Sequence, residues 1–257
     1  MDVLLIRHCQ SANNALINAN LENAKRSSDP GLTALGESQS EALRDLFREK
    51  RNDGRAREAW TSPMRRCLET SRAIARGLEV RVNVMVDLHE HGGCFDGARG
   101  GEVVGERGMT KREIEEEFPG FDVPATMERG WWSEERGCES VSDAQRRVEG
   151  VADWLWTRAR AMASGEEDER ELCVVAHGMF IDILLKTLFD APRTTGKQRS
   201  LFCSQNACVH KLHFDVANDG ACVGLQSFND VSHIPECLRS GGSVEGLDVA
   251  YTHEGSA

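Results

Sequence analysis

Short apolar runs that end abruptly in polar or charged groups constrain this chain more than any other feature. Val3 to Ile6 runs into Arg7-His8. Ala59-Trp60-Thr61 is broken by Ser62-Pro63. Val80, Val82, Val84 and Val86 alternate with Arg81, Asn83 and Met85 before Asp87-Leu88-His89-Glu90. Leu172 to Ala176 runs into His177-Gly178. Such runs are too short for helices and read as strands, the continuous ones as strands buried on both faces. Amphipathic stretches lie between them. Thr33 caps one helix, with Leu35, Ala42, Leu43, Leu46 and Phe47 on one face. Pro63 opens another that stops near Gly77. Ser142-Asp143-Ala144-Gln145 has a capping-box pattern and opens the longest, to about Ala163. Met179 to Phe189 is a fourth, apolar at Ile181, Leu184, Leu185 and Leu188. Strands alternating with helices predict an α/β protein: a mostly parallel central sheet covered on both faces, a three-layer αβα sandwich. Ala207–Phe214 and Cys222–Phe228 read as further strands.

The chain has 257 residues, enough for one large domain, and 40% hydrophobic against 28% charged residues is an ordinary globular balance. We expect a single domain over 1–237 with an irregular, Gly-, Glu- and Arg-rich insertion at about 92–140, then a loose tail over 238–257. The Thr110-Lys111-Arg112-Glu113 capping box marks a short helix inside the insertion. A net charge of −11 argues against an extended polyanion-binding surface, so no nucleic-acid partner is expected. No apolar run approaches a membrane span. The N-terminus lacks the pattern of a secretory signal. The nine cysteines are scattered with no Cys-x-x-Cys pair, which fits reduced thiols in the cytoplasm rather than a zinc or disulfide framework.

If the strands are parallel neighbours, Arg7-His8, Glu90, His177 and the arginines beyond Pro63 converge on one rim of the sheet. Read alone, Arg7-His8 is better explained as an edge histidine satisfied by a neighbour. Together the groups suit phosphoryl transfer. Arginine's planar fork holds two phosphate oxygens at once, and a neutral imidazole is a competent nucleophile. A carboxylic acid beside the leaving oxygen supplies the proton an alkoxide needs.

The ordered motifs resemble the histidine phosphatase superfamily, which includes phosphoglycerate mutases and many phosphatases. Arg7-His8-Cys9-Gln10-Ser11, with Asn14, is similar to the family's Arg-His-Gly-Gln/Glu-Thr/Ser opening. Leu32-Thr33-Ala34-Leu35-Gly36-Glu37-Ser38-Gln39 is similar to its Leu-Thr-x-x-Gly-x-x-Gln helix start. Ser62-Pro63-Met64-Arg65-Arg66-Cys67-Leu68-Glu69-Thr70, Val174-Val175-Ala176-His177-Gly178 and Asn229-Asp230-Val231-Ser232-His233 resemble three further motifs, in the family's order. The resemblance implies a phosphoglycerate mutase-like fold and gives roles. His8 would carry the phosphoryl group. Arg7, Arg66 and His177 would line its pocket, with Ser11, Asn14 and the Gly178 N–H nearby. Glu90 would be the proton donor. No metal or other cofactor is implied. Arg65 competes for the second arginine role, but the spacing to Thr70 favours Arg66.

The expected activity is hydrolysis of phosphomonoesters, on a phosphorylated small molecule or a phosphoprotein. A mutase is the alternative, weakened because Glu90-His91-Gly92-Gly93-Cys94-Phe95 lacks the Glu-Arg-His-Tyr-Gly-x-Leu type of stretch typical of mutases. A catalytically weak, phosphate-dependent binding protein is the alternative from another class. Its one supporting feature is Cys9, which stands where the family pattern has glycine and is read here as a small residue that fits, with a redox-sensitive thiol as the other reading. His89 and His91 flank Glu90, but no third metal ligand is apparent. Phe95, Arg99, Trp131 and Trp132 are the candidates for specificity, with anchoring of the insertion the plainer role for the tryptophan pair.

Overall fold

The computed structural model describes residues 1–18, 26–96, 104–192, 197–216, 220–244, 247–248 and 251. Its strands and helices in chain order are β1 (Asp2–Arg7), α1 (Ala12–Asn18), α2 (Ala34–Lys50), β2 (Arg57–Thr61), α3 (Arg65–Leu78) and β3 (Val82–Val84). After these come β4 (Phe95–Asp96), β5 (Val104–Gly105), α4 (Lys111–Glu117), β6 (Phe121–Asp122) and α5 (Val141–Ser164). The last are β7 (Glu171–Ala176), α6 (Gly178–Leu188), β8 (Val209–Asp215) and β9 (Cys222–Asp230).

Seven strands form one sheet in the order β6-β3-β2-β7-β1-β8-β9. The first five are mutually parallel; β8 runs antiparallel to β1, and β9 antiparallel to β8. The period of two along a strand makes the layers. Val3 and Leu5 of β1, with Leu172, Val174 and Ala176 of β7, pack against α5 and α6. Leu4 and Ile6, with Cys173 and Val175, face Leu43 and Phe47 of α2 and Cys67 and Ile74 of α3. The result is the expected three-layer sandwich with a mostly parallel sheet.

Register places the reactive groups. Arg7 pairs with Ala176 and Thr61 with Val175, so β1, β7 and β2 end at one level. His8, His177 and Ser62 follow directly at the carboxyl ends of these neighbours, the rim where open α/β sheets bind ligands.

Several boundaries differ from expectation. The valine alternation over 80–86 yields only a three-residue β3, because the Val80 N–H closes on Ala75 O at the end of α3 and Val86 enters a 3₁₀ turn. The helix read from Ser142 starts at Val141. Ser140 is its cap, accepting from Asp143 N, and this frame buries Val141. The insertion is packed into the domain: Trp131, Trp132, Met127, Phe118 and Phe121 share one core cluster with Leu68, Val82 and Val84 beneath them. Its β6 extends the main sheet. The two tryptophans are therefore anchors. Trp132 donates to Gly137 O at 2.9 Å, and both rings pack on His89. Arg99, named as a specificity candidate, lies outside the described residues. The expected loose tail is held in place where it is described. Gly241 bridges to Gln205, and Tyr251 is buried on α6 against Asp182 and Lys186. No described helix is long and apolar enough to cross a membrane.

Candidate active site

His8 follows β1 and is almost fully buried. Its Nδ1 lies 2.6 Å from Cys9 O. A carbonyl only accepts, so Nδ1 carries the proton and Nε2 the lone pair, an assignment drawn from the partners. Nε2 in turn accepts from Arg66 Nε at 3.2 Å. Burial first, then the charges of Arg66 and Arg7, hold the imidazole well below its ordinary pKa. At neutral pH this is an uncharged base with one oriented lone pair.

His177, directly after β7, stands at the N-cap position of α6 with its side chain free of the cap. Its ring stands edge-on to His8 with centroids 5.2 Å apart, and its Nε2 is 2.8 Å from Ser62 Oγ. Burial, then Arg66 and His8, depress its pKa as well. Arg66 comes from the first turn of α3. Arg65, beside it in sequence, points elsewhere and pairs with Glu117, its Nη2 2.8 Å from Oε2. The spacing argument that favoured Arg66 thus has a geometric counterpart: Arg66 reaches His8 and Arg65 does not.

Arg7 donates from Nη1 to Ser204 O, and its buried Nε has no acceptor among the described residues. Gly178 lies against this guanidinium: a Cβ there would sit 3.3 Å from Arg7 Nε. Glu90 reaches the start of α6, where Oε1 accepts from Phe180 N and His91 N, each at 3.0 Å, and Oε2 from Met179 N at 3.3 Å. These backbone N–H groups fix the carboxyl group beside the start of α6. Ser11 and Asn14 form a local pair: Asn14 Oδ1 accepts from Ser11 N at 3.2 Å and from Ser11 Oγ at 3.1 Å. All eight residues singled out from the sequence gather at one rim of the sheet.

The remaining motif residues hold this rim together. Gly36 lets α2 abut the loop after His8, since a Cβ there would overlap Gln10 O. Thr33 N donates to Gln10 O, and Gln39 Oε1 accepts from Gln10 N at 2.8 Å. Thr70 Oγ1 accepts from Cys9 N at 3.1 Å, which fixes α3, and so Arg66, relative to His8. His233 Nε2 donates to Ala207 O at 3.1 Å, while Ala207 N bonds Arg7 O and His8 O. Cys9 has an ordinary backbone, and its side chain packs in the apolar layer with Leu43 and Phe47 rather than crowding the site. Burial pushes its thiol up to about 12. His89 Nδ1 donates to Val86 O, its ring lies among tryptophans, and its Nε2 is 3.6 Å from Glu139 Oε1.

The sequence profile of the histidine phosphatase superfamily (branch 1) matches residues 3–225. The chain belongs to this superfamily. Solved structures with the same fold include mycobacterial glucosyl-3-phosphoglycerate phosphatase, at 21% identity and a TM-score of 0.52, covering 89% of this chain and 98% of that one. Bacillus stearothermophilus YhfR has 19% identity and a TM-score of 0.56, with 91% and 99% covered. The ecdysone phosphate phosphatase of Bombix mori, in complex with tungstate, has 15% identity and a TM-score of 0.56, with 87% and 91% covered. No curated protein matches the chain in sequence. As a member of the histidine phosphatase superfamily the chain has one feature its motifs did not announce. Asn206, buried in the turn before β8, donates from Nδ2 to both His8 O and Asn14 Oδ1, each at 3.2 Å. The only signal for it in the sequence is a polar Ser204-Gln205-Asn206 step directly ahead of an apolar strand.

Proposed function

We propose that this protein is a phosphatase that hydrolyses phosphomonoesters through a phosphohistidine on His8. The observation that carries the reading is the state of the His8 ring. It is buried and neutral, its Nδ1–H is tied to Cys9 O, and its Nε2 lone pair is turned toward Arg66. Arg66, Arg7 and His177 surround the phosphoryl group, with the Asn14 amide, Ser11 and the Gly178 N–H at its edge. Nε2 attacks phosphorus, an N–P bond forms, and the P–O bond to the leaving group breaks. Glu90, entering as the carboxylic acid, gives its proton to the departing alkoxide. Glu90, now a carboxylate, takes a proton from a water that attacks phosphorus; the N–P bond breaks and inorganic phosphate leaves. The fixed arginines stabilise the equatorial charge of both transition states.

The fold neighbours named as phosphatases of a glucosyl phosphoglycerate and of ecdysone phosphate support a phosphorylated small molecule as substrate. All nine cysteines are free, which supports a reducing, cytoplasmic location. The test offers p-nitrophenyl phosphate, and separately 3-phosphoglycerate with bisphosphoglycerate, to wild type and His8→Ala. We expect hydrolysis by wild type and a loss of about 10⁴-fold or more in the variant. Net isomerisation instead of hydrolysis would mean a mutase. Phosphate binding without turnover of any ester would mean a docking protein.

A further inference from the structure

The C-terminal segment Leu238–Gly241 crosses the rim beside the two residues that the phosphate reading leaves least explained, Arg7 and Asn14. Gly241 has φ +75°. A Cβ there would come within 2.9 Å of Arg7 Nη1 and 2.7 Å of Asn206 Oδ1. Gly178 also lies against this guanidinium, nearest to Nε. Two glycine backbones therefore approach Arg7 closely, one from α6 and one from Leu238–Gly241. A side chain on Gly241 would have to displace the guanidinium or the Asn206 amide.

The segment is tied down by two amide side chains that are themselves completely inside the protein. Gln39 Nε2 donates to Leu238 O at 2.7 Å and to Ser240 Oγ at 3.0 Å, while its Oε1 holds Gln10 N in the loop after His8. Asn206 N donates to Ser240 O at 2.9 Å, and Ser240 Oγ donates to Asn206 Oδ1 at 3.2 Å. With its oxygen thus engaged, Asn206 must present Nδ2 to His8 O and Asn14 Oδ1. Asn14 Oδ1 then has three donors, from Ser11 N, Ser11 Oγ and Asn206, and only the amide nitrogen of Asn14 is left to meet an anion. Arg7 Nε, buried and with no acceptor among the described residues, is the second donor in need of one.

We propose that Leu238–Gly241 is a strap that sets the Arg7 guanidinium and the Asn14 amide for an oxyanion, with Ser240 and Asn206 as positioning residues. The proposal rests on the phosphate-site reading above and adds to it that the site is completed by the C-terminal segment. Its direct consequence is for anion binding rather than for the nucleophile, because no strap residue bonds the His8 ring.

The experiment measures calorimetric binding of inorganic phosphate, and KM and kcat for p-nitrophenyl phosphate, on the full chain. The variants are Gly241→Ala, Ser240→Ala and Ser240→Thr. Gly120→Ala is the control, since Gly120 has φ +95° but open space around its missing Cβ. Gly241→Ala and Ser240→Ala should each weaken phosphate binding and raise KM by about tenfold, the size of one charge-assisted hydrogen bond misplaced. Ser240→Thr, which keeps the hydroxyl, should restore both. Gly120→Ala should lower Tm and leave binding unchanged. If Gly241→Ala does not fold, Ser240→Ala and Ser240→Thr decide alone. Phosphate binding equal to wild type in Ser240→Ala, or no rescue by threonine, overturns the strap. Wild-type protein that binds phosphate without turnover overturns the hydrolytic reading alone, and the variants still decide the strap. Wild-type protein that binds no phosphate overturns both.

Discussion

Thr70→Val isolates the link between His8, the proposed nucleophile, and Arg66. Thr70 Oγ1 makes two bonds: it accepts from Cys9 N at 3.1 Å and donates to Arg66 O at 2.7 Å. The second bond is dispensable, because Arg66 O lies in a helix and the Thr70 N–H is placed to serve it. The first is not. Cys9 N is buried, and valine has the shape of threonine without the oxygen, so the substitution strands a backbone donor. That costs about 2 kcal/mol, the middle of the range for an unsatisfied buried group. For a chain of this size it lowers Tm by roughly 4–8 °C. The functional effect should exceed the loss of stability. The Cys9 bond registers α3 against the loop after β1, and Arg66 Nε meets His8 Nε2 at 3.2 Å only in that register. A displacement of about 1 Å there is worth up to about a hundredfold in rate. Thermal unfolding and kcat/KM for p-nitrophenyl phosphate, measured well below the Tm of each protein, separate the two effects. Thr70→Ser keeps the oxygen and should recover most of the activity. If Thr70→Val matches wild type in kcat/KM, or if Thr70→Ser is as impaired as Thr70→Val, the register argument is wrong.

Arg65→Ala should keep kcat/KM within about threefold, since it loses part-exposed pairs with Glu117 and, at 3.8 Å, Glu69, whereas Arg66→Ala should lose about 10²-fold or more; equal effects would reassign the clamp. Cys9→Gly should retain activity at the cost of a few degrees in Tm, and hydrogen peroxide should inactivate it and wild type at the same rate, because the Cys9 thiol is pushed up to about 12; protection by the substitution would revive a redox role. Burial lowers the His210 imidazole from its ordinary 6.5 to about 4. Its contribution to stability is therefore fully present above pH 6.5 and is lost as the pH falls toward 4, while the unfolded chain takes up a proton the native site refuses. Between pH 6.5 and 5 the loss is about 1.5 kcal/mol, so urea unfolding of wild type should show a steeper acid decline than His210→Gln by about that amount; parallel declines would refute the assignment.

The sequence carried the core of the sheet and the reactive rim for one physical reason. In a parallel sheet the apolar run and the polar group that ends it are adjacent in the chain, so Ile6-Arg7-His8 and Ala176-His177 declare both burial and position. The same locality explains why Thr33 and Thr110 were readable as caps. Where two frames compete locally, as with Ser140 and Ser142, both offer a hydroxyl three residues before a side chain that completes the cap. The choice falls to whether Val141 is buried, which depends on β7 and α6 and not on the neighbouring sequence. The packing of the described part of the tail was not legible for the opposite reason. Ser240-Gly241-Gly242 has the composition of a linker, and its partners Gln39 and Asn206 lie 201 and 34 residues from Ser240. Small residues are present there because backbone must approach Arg7, and nothing in a linear reading distinguishes that need from slackness.

The use of neutral amides around the rim follows from its charge. Burial and then Arg66 already hold the pKa of both His8 and His177 down, and Arg7 adds to this at His8. An ammonium in place of Gln39 or Asn206 would add to that repulsion and oppose anchoring, and a carboxylate would compete with phosphate for the guanidiniums. An amide brings both donor and acceptor atoms at no net charge, so it can bridge two backbone segments whose free groups differ in kind. Gln39 does this by accepting from Gln10 N and donating to Leu238 O, and Asn206 by accepting from Ser240 Oγ and donating to His8 O. Replacing either by its acid would turn a donating nitrogen into an oxygen facing a carbonyl, which is a buried repulsion in addition to a lost bond. On the proposed reading, a site that must hold a dianion thus favours neutral amides over ion pairs in the residues that hold it together.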